Sequence, residues 1–320
     1  MNRRFAIALL MTAGLAPAQS LAQTRTTRLL VAFPAGGPVD FVARAIAEQL
    51  GRELKSTVVV ENKPGGNGAI TAQSVIQSPA DGTTLWLTSV GAAAINPVLY
   101  DKLDYDMQRD FAPVSLVVNN DELLVVNAAN PANDAAEFIA NARKSAQPVP
   151  IASTGIGSIP HLAMEQLADA TKTNLLHVPY KGAAPAITDL VGGQVAAFFG
   201  DIPGLIAHVK GGKLKAIGIA APKRHPLLPD VRTLEEQGIP GVDTNNWYAI
   251  FASSKTPPAT IAALHDAVRA TLATPAVSEK LLASGAVPHT SSPQELSALL
   301  RSDTAKWGRL IKAKKITSQG

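Results

Sequence analysis

Short runs of β-forming residues alternate with segments of helical periodicity from Arg28 onward, and this alternation limits the fold more than any other feature. Residues 29–33 predict a strand, and residues 40–50 predict a helix because their apolar side chains recur every three or four positions. Asp40 is predicted to cap this helix, and Gly51 to end it in the left-handed conformation. Regular succession of strand and helix is typical of α/β proteins with a mainly parallel sheet.

The same alternation continues in two blocks. The first block contains predicted strands at residues 57–61 and 84–88 and a predicted helix at residues 69–77. In the second block, Asp134 begins a helix with Glu137 three residues later, a variant of the capping box, and Ser158 is the expected N-cap of another. Further strands are predicted at residues 123–127, 150–152, 175–178, 195–199, 214–220 and 247–252, and further helices at residues 158–170, 185–191, 258–272, 276–283 and 293–312.

A chain of 320 residues is long enough for about two domains. The two blocks therefore predict two α/β lobes, each a mostly parallel sheet flanked by helices. Residues 23–122 and 247–320 are predicted to form lobe 1, and residues 123–246 to form lobe 2. The chain is then expected to cross between the lobes near residues 118–124 and 245–247, where a hinge would lie.

The first 22 residues resemble a cleavable secretory signal peptide. Arg3 and Arg4 are followed by an apolar stretch at residues 5–15, which is too short to span a membrane, and residues 20–22 provide small side chains for cleavage after Ala22. The mature protein is expected to be exported to the periplasm.

Composition argues against several classes of function. The chain has no cysteine, so disulfides, thiolate metal sites and cysteine nucleophiles are excluded. Its six histidines lack the spacing of a metal site, and no phosphate-binding loop or dinucleotide fingerprint occurs, so we expect neither metal nor cofactor. The net charge of +4 comes from scattered basic residues, which argues against nucleic acid as a partner.

Three glycine-rich turns each join a predicted strand to a predicted helix. The first spans residues 33–40 and the second residues 152–161. Such turns direct backbone N–H groups into a concavity beside the positive end of a helix dipole, so one turn in each lobe could hold a carboxylate from two sides. An ordinary strand-to-helix turn is the alternative for the first. The third turn, residues 63–68, is predicted to have only a structural role.

A serine hydrolase is the main enzymatic alternative. Ser158 and His161 are three residues apart and would share a helix face, but no G-x-S-x-G motif surrounds the serine. Helix capping explains Ser158 without catalysis, so the chain is predicted not to be an enzyme. A ligand-sensing protein of a signalling system would share the same cleft and cannot be separated from a transport receptor by sequence.

Nine segments resemble, in order, those of the Bug family of extracytoplasmic solute receptors, the substrate-binding proteins of tripartite tricarboxylate transporters. These segments are residues 31–40 (VAFPAGGPVD), 60–66 (VENKPGG), 81–85 (DGTTL), 110–114 (DFAPV), 158–162 (SIPHL), 177–182 (HVPYKG), 190–194 (LVGGQ), 212–214 (GKL) and 228–234 (LPDVRTL). The resemblance implies a two-lobed periplasmic binding protein of type II that captures a small carboxylate or dicarboxylate between its lobes. It also implies integral membrane transporter subunits as partners, and we expect the receptor itself to be a monomer.

The resemblance also implies which residues hold the ligand. From lobe 1 they are Ala35, Gly36, Gly37, Pro38 and Asp40. From lobe 2 they are Ser153, Thr154, Gly155, Ile156, Gly157, Ser158 and His161, with Tyr180, Lys181 and Asp201 expected at the rim of the cleft.

One segment departs from the family pattern. Residues 90–97 (VGAAAINP) carry small side chains where relatives often have bulkier or polar ones. We expect these alanines either to leave space for the apolar, even aromatic, body of a ligand, or to form a tightly packed turn without a pocket.

Overall fold

The computed structural model describes residues 26–318, and the predicted signal peptide lies outside them. The strands are β1 (Thr26–Val31), β2 (Thr57–Asn62), β3 (Thr84–Ser89), β4 (Phe111–Asn119), β5 (Glu122–Asn127), β6 (Val149–Ser153), β7 (Leu175–Pro179), β8 (Ala197–Asp201), β9 (Leu214–Ile219), β10 (Tyr248–Ser253) and β11 (Val287–Pro288). The helices are α1 (Pro38–Leu54), α2 (Ala69–Ile76), α3 (Asn96–Leu99), α4 (Met107–Asp110), α5 (Ala135–Ala142), α6 (Ile159–Thr171), α7 (Ala183–Val191), α8 (Ile202–Lys210), α9 (Pro258–Ala273), α10 (Pro275–Ser284) and α11 (Pro293–Lys314). None of the helices in residues 26–318 combines the length and apolar character needed to cross a membrane.

The strands form two sheets, which we call the sheets of lobe 1 and lobe 2. Lobe 1 has the strand order β11-β4-β10-β3-β1-β2, and lobe 2 has β7-β6-β8-β5-β9. The predicted α/β fold with two sheets flanked by helices is confirmed, although both sheets are mixed and not mostly parallel. In lobe 1, β1 is parallel to β2 and β3, but β10 returns from lobe 2 and inserts antiparallel between β3 and β4. In lobe 2, β5 is antiparallel to both of its neighbours, β8 and β9.

Helices cover both faces of each sheet, as the α/β class requires. One face of the lobe 1 sheet packs against α1, α9 and α10, and the other against α2, residues 91–95 and α11. The lobe 2 sheet packs against α5 and α6 on one face and α7 and α8 on the other. Ile159 and Leu162 of α6 reach across to join the apolar cluster of lobe 1, which ties the two lobes together.

The chain passes between the sheets at two adjacent points. It leaves lobe 1 after Asn119 and enters the lobe 2 sheet at Glu122, and it returns at Asn246 before β10 begins. The two crossings bind each other, because the Asn246 N–H donates to the Asn120 carbonyl over 3.0 Å and Asn120 Nδ2 donates to the Asn246 carbonyl over 2.9 Å.

Helix α1 is longer than predicted at both ends. Its N-cap is Gly37, so Asp40 is not the cap, and Pro38 occupies the first turn. The helix continues through Gly51 and ends at Lys55, which takes the left-handed conformation at φ 51°. Glycine at position 51 serves close packing instead, because a Cβ there would lie 2.7 Å from the Ser56 carbonyl oxygen.

The predicted N-caps of the other two helices are confirmed. The Asp134 side chain accepts from the Glu137 N–H, and the Ser158 hydroxyl accepts from the His161 N–H. The Glu137 carboxylate, however, accepts from the N–H of Asn133 instead of Asp134, so the reciprocal half of the predicted capping box is displaced by one residue.

The alanine segment forms no ligand pocket. Gly91–Ile95 is a single turn of π-helix in which Ala92, Ala93 and Ala94 are fully buried. The side chains are small because the turn packs closely: a Cβ on Gly68 would lie 2.7 Å from Ala92 Cβ. The packed-turn alternative is therefore correct, and the argument for an aromatic ligand loses its basis.

Candidate functional site

A cavity of about 80 Å³ lies between the lobes and opens to solvent. Residues from both lobes line it. They are Phe33, Pro34, Ala35, Gly37, Pro38, Val39, Ser89 and Tyr248 from lobe 1, Asn246 from the crossing, and Thr154, Pro160, Lys181, Gly182, Ala183, Ala184, Pro185 and Asp201 from lobe 2. Its largely apolar wall with a few polar groups is typical of a small-molecule site.

The Asp40 side chain holds the lobe 1 turn between β1 and α1 in place. This carboxylate is 3% exposed and accepts hydrogen bonds from the Gly36 N–H (2.9 Å), from Arg44 Nε (2.9 Å) and from Asn62 Nδ2 (2.9 Å). Burial works to raise its pKa, but the hydrogen bonds from Arg44, Gly36 and Asn62 outweigh burial and lower the pKa below the usual range. The Asp40–Arg44 pair expected from the i,i+4 spacing is present. Asp40 therefore shapes the turn and does not face the cavity.

Most polar groups of the lobe 2 turn between β6 and α6 form hydrogen bonds within the turn itself. The Gly155 N–H donates to Ser153 Oγ, and the Ser158 hydroxyl donates to the Gly155 carbonyl over 2.7 Å. The Gly157 N–H donates to His161 Nδ1 over 3.1 Å. These N–H groups are thus not free for a ligand, in contrast to the convergent set of donors that the sequence suggested.

The buried His161 stacks on the half-buried His177 behind this turn. Their rings are parallel within 5° and 3.7 Å apart, and His177 Nε2 lies 2.6 Å from Ser153 Oγ. Burial lowers the pKa of His161 to about 3, with a further contribution from His177, and lowers that of His177 to about 4. Both imidazoles are neutral at pH 7.

This geometry does not suit a hydrolase. The ring nitrogen nearest the turn, His161 Nδ1, accepts from Gly157 and so cannot take a proton from Ser158. The Ser158 hydroxyl is already engaged with the Gly155 carbonyl and the His161 N–H. Both residues hold the turn in shape, and neither is arranged as a nucleophile and base.

Several backbone N–H groups of cavity-lining residues have no protein acceptor in the described part of the chain, among them those of Gly182, Ala183 and Ala184 at the start of α7. Among the described residues, the amides of Ala35, Val39 and Thr154 have no protein acceptor, and all three residues line the cavity. Val39 lies in the first turn of α1, where the helix leaves its N–H groups unpaired and the dipole favours negative charge. Elements of both lobes thus present donors to one space.

The predicted site residues separate into two groups. Those that line the cavity are Ala35, Gly37, Pro38, Thr154, Lys181 and Asp201. Gly155, Ile156 and Tyr180 line an adjoining cavity that shares Phe33, Pro34, Thr154, Lys181 and Gly182 with the first. Gly36, Asp40, Ser153, Gly157, Ser158 and His161 line neither cavity and support the turns from behind.

The sequence analysis missed several lining residues. Pro64, Gly65 and Gly66 of the third glycine-rich turn line the adjoining cavity, so this turn does more than connect a strand to a helix. Ser89, Asn246 and Tyr248 are buried residues of the main cavity. Their signal in the sequence is a polar side chain at the end of a strand, a position where α/β proteins place ligands.

One acidic residue, Asp201, lines the main cavity, and a second, Glu122, is fully buried on the neighbouring strand. Asp201 Oδ1 accepts from Asn246 Nδ2 over 2.8 Å, and Asp201 Oδ2 accepts from the Tyr248 hydroxyl. Asn246 Nδ2 also donates to Glu122 Oε1 over 3.1 Å, and Glu122 lies opposite Asp201 in the antiparallel pair of β5 and β8. Burial, followed by the charge of Asp201, raises the pKa of Glu122 well above its usual range, and burial also raises the pKa of Asp201.

Two α/β lobes joined by paired crossings, with a solvent-open cavity between them, define a solute-binding protein of the two-lobed type. The comparisons with known proteins give the same class. The family model described as tripartite tricarboxylate transporter family receptor matches residues 42–316. This chain belongs to that family, which consists of solute-binding receptors and not of enzymes.

Individual relatives agree with this assignment. A curated protein of Pseudomonas sp. strain P51, described as the UPF0065 protein in the tcbD-tcbE intergenic region, is 33% identical over 93% of this chain and 92% of its own length. The structure of the periplasmic binding protein BugD is 33% identical, with a TM-score of 0.86 over 92% of this chain and 98% of that one. A structure of R. palustris Rpa4515 with adipate is 31% identical, with a TM-score of 0.88 over 92% and 99%.

Proposed function

We propose that this receptor binds a small organic carboxylate in the cavity between its lobes and delivers it to the membrane subunits of a tripartite tricarboxylate-type transporter. The observation that carries the proposal is the convergence of three unpaired amides, those of Ala35, Val39 and Thr154, on one cavity. A carboxylate can accept from all three, and dipole donors of this kind hold anions without a bound arginine. The relative solved with adipate supports a carboxylate as the class of ligand.

This function fits two lobes, one formed by residues 23–122 and 247–320 and the other by residues 123–246. A ligand that contacts both lobes favours the closed arrangement and so biases the equilibrium between open and closed forms. The membrane subunits would then recognise the closed form. Glu122 begins a strand of the lobe 2 sheet, which supports a boundary close to residue 122.

Export to the periplasm is part of the same proposal. The family consists of receptors for a membrane transporter. Expression in a Gram-negative host, fractionation and mass spectrometry of the intact protein would show the N-terminus. We expect a periplasmic protein that begins at Gln23, and a cytoplasmic protein that retains Met1 would contradict the proposal.

The binding site is tested by substitution of Gly37. Gly37 lines the cavity, so the valine side chain of Gly37→Val would add bulk there, and a Cβ at this position lies 3.4 Å from the Pro34 carbonyl oxygen. We expect calorimetric affinity for adipate and shorter carboxylates to fall at least tenfold while the thermal midpoint changes little. Ala128→Val, at an exposed turn after β5, is the matched control and should leave affinity unchanged. Equal affinities for both variants and the parent protein would refute the assigned site.

A further inference from the structure

Helix α6 of lobe 2 turns one stripe of side chains toward lobe 1. Ile159 and Leu162, in its first turn, join the apolar cluster of lobe 1. Glu165 and Asp169 continue this stripe, because side chains three and four residues apart share a helix face. The N-terminal half of α6 therefore meets lobe 1 through apolar contacts, and the C-terminal half turns two carboxylates toward it.

A single lysine of lobe 1 meets both carboxylates. Lys314 lies in the last turn of α11, a helix whose buried side chains belong to the lobe 1 core. Its Nζ atom forms an ion pair with Asp169 Oδ1 and lies 3.8 Å from Glu165 Oε2. Among the ion pairs between residues 26–318, these are the only two that join the lobes. Each of the other pairs lies within one lobe and does not depend on how the lobes are arranged.

The ion pair occurs in a closed arrangement of the lobes. Beside the main cavity, a Cβ on Gly204 of lobe 2 would lie 3.0 Å from Pro38 of lobe 1, and a Cβ on Gly182 would lie 3.8 Å from Pro34. Such contacts across the cavity exist only while the lobes are together. The pair of Lys314 with α6 is therefore one of the contacts that distinguish a closed arrangement from an open one.

Helix α11 also packs beside the second crossing of the chain. Asp303 accepts from Trp247 Nε1 over 2.7 Å, and Lys306 Nζ donates to the Asp243 carbonyl over 3.2 Å. Lys314 is eight residues beyond Lys306, which places it about 12 Å further along the helix at 1.5 Å per residue. A hinge rotation of about 20° across the helix axis would move Lys314 about 4 Å from its partners. A modest opening of the cleft is thus enough to break the ion pair.

We propose that Lys314, Glu165 and Asp169 form an ionic latch that stabilises the closed arrangement of the two lobes. This inference goes beyond the proposed function, because it concerns the motion of the lobes and not the ligand. Partly exposed ion pairs change an equilibrium constant up to about fivefold, so we expect the latch to raise the ratio of closed to open protein about threefold. Salt should remove this effect, and the affinity of any ligand that requires the closed form should follow the same factor.

Pulsed electron paramagnetic resonance measures the separation of the lobes in the protein without ligand. The chain has no cysteine, so spin labels can be attached to introduced ones. Thr57→Cys on β2 and Asn174→Cys next to β7 place labels at exposed positions by the outer strands of the two sheets. In each sheet, two strands separate that outer strand from the strand that follows a crossing, so the labels report the hinge angle.

The latch is removed by Lys314→Met, which keeps the length of the side chain without its charge. At low salt we expect the ratio of closed to open protein to fall about threefold, and the difference from the parent to vanish in about 1 M NaCl. Lys172→Met is the matched control, because Lys172 Nζ lies 3.9 Å from the same Asp169 but belongs to lobe 2. It should leave the ratio unchanged. Lys314→Glu combined with Asp169→Lys reverses the pair and should recover the parent ratio.

Equal distance distributions for the parent and Lys314→Met at low salt would overturn the latch, and so would an equal shift in Lys172→Met. Titration calorimetry with adipate measures the consequence for binding, where we expect Lys314→Met to weaken affinity about threefold. If adipate does not bind, the proposed ligand class is in error, but the distance measurement still decides the latch because it needs no ligand.

Discussion

Removing the Asp40 carboxylate should release the lobe 1 turn. In Asp40→Ala, the Gly36 N–H and Asn62 Nδ2 both lose a charged acceptor at 2.9 Å. Hydrogen bonds to charged groups contribute about 1.5–3 kcal/mol each. Arg44 adds less than about 1 kcal/mol, because its side chain is 54% exposed and solvent screens the pair. Gly36 is exposed and can recover a bond to water, so the total loss of unfolding free energy should be about 3 kcal/mol.

Urea denaturation measures this loss, and hydrogen exchange reports the Gly36 amide directly. Glu48→Ala is the matched control on the same helix, since Glu48 pairs with Arg52 at the same i,i+4 spacing but is 81% exposed. It should cost no more than about 0.5 kcal/mol. Arg44→Ala separates the ion pair from the turn and should cost less than half of what Asp40→Ala costs. If Arg44→Ala and Asp40→Ala are equally destabilising, or if Gly36 exchange is unchanged, Asp40 does not anchor the turn.

Three further predictions concern the histidine pair, the lobe contact and a helix cap. The pKa values of His161 and His177, about 3 and 4, lie below the ordinary value of about 6.5, so the unfolded chain binds protons first as pH falls. The free energy of unfolding should therefore fall between about pH 6.5 and pH 4, by roughly 3 kcal/mol for His161. NMR titration that finds ordinary pKa values for the two histidines would contradict this prediction. Gly157→Ala should lower the free energy of unfolding by about 2 kcal/mol in calorimetry, because φ at this position is +72° and the new Cβ would lie near Leu99. In a Leu99→Ala background the loss of stability should be smaller, but the part due to the positive φ should remain. Ser292→Ala removes the cap of α11 and should cost about 1 kcal/mol in urea, with no change in ligand affinity.

Local signals in the sequence predicted most of the elements, but not β4, helix α8 or the directions of the strands. The positions of Asp134 and Ser158 as N-caps follow from chemistry within one helical turn, and both are confirmed. The period of a strand is the same in parallel and antiparallel sheets, so the antiparallel insertion of β10 between β3 and β4 left no local trace. The strand β4, at residues 111–119, was missed because Pro113 interrupts its pattern.

The site shows the same division between local and tertiary information. The glycine-rich turns could be predicted from motifs and Asp201 only from the family resemblance, and they lie at or behind the cavity. What the motifs could not give is where each N–H points: Gly155 and Gly157 direct theirs to Ser153 and His161 within the turn. The alanines of residues 92–94 show a similar limit, since small side chains fit both a pocket and a crowded turn.

The adjacent crossings at Asn120 and Asn246 determine how the receptor can move. Reciprocal hydrogen bonds fasten the two strands of chain side by side, so they cannot slide or splay independently. Because the two crossings are bound to each other at one place, we expect the lobes to rotate about that place instead of sliding past each other. Asn246 also lines the cavity, so a ligand that contacts Asn246 would act directly on the point about which we expect the lobes to rotate.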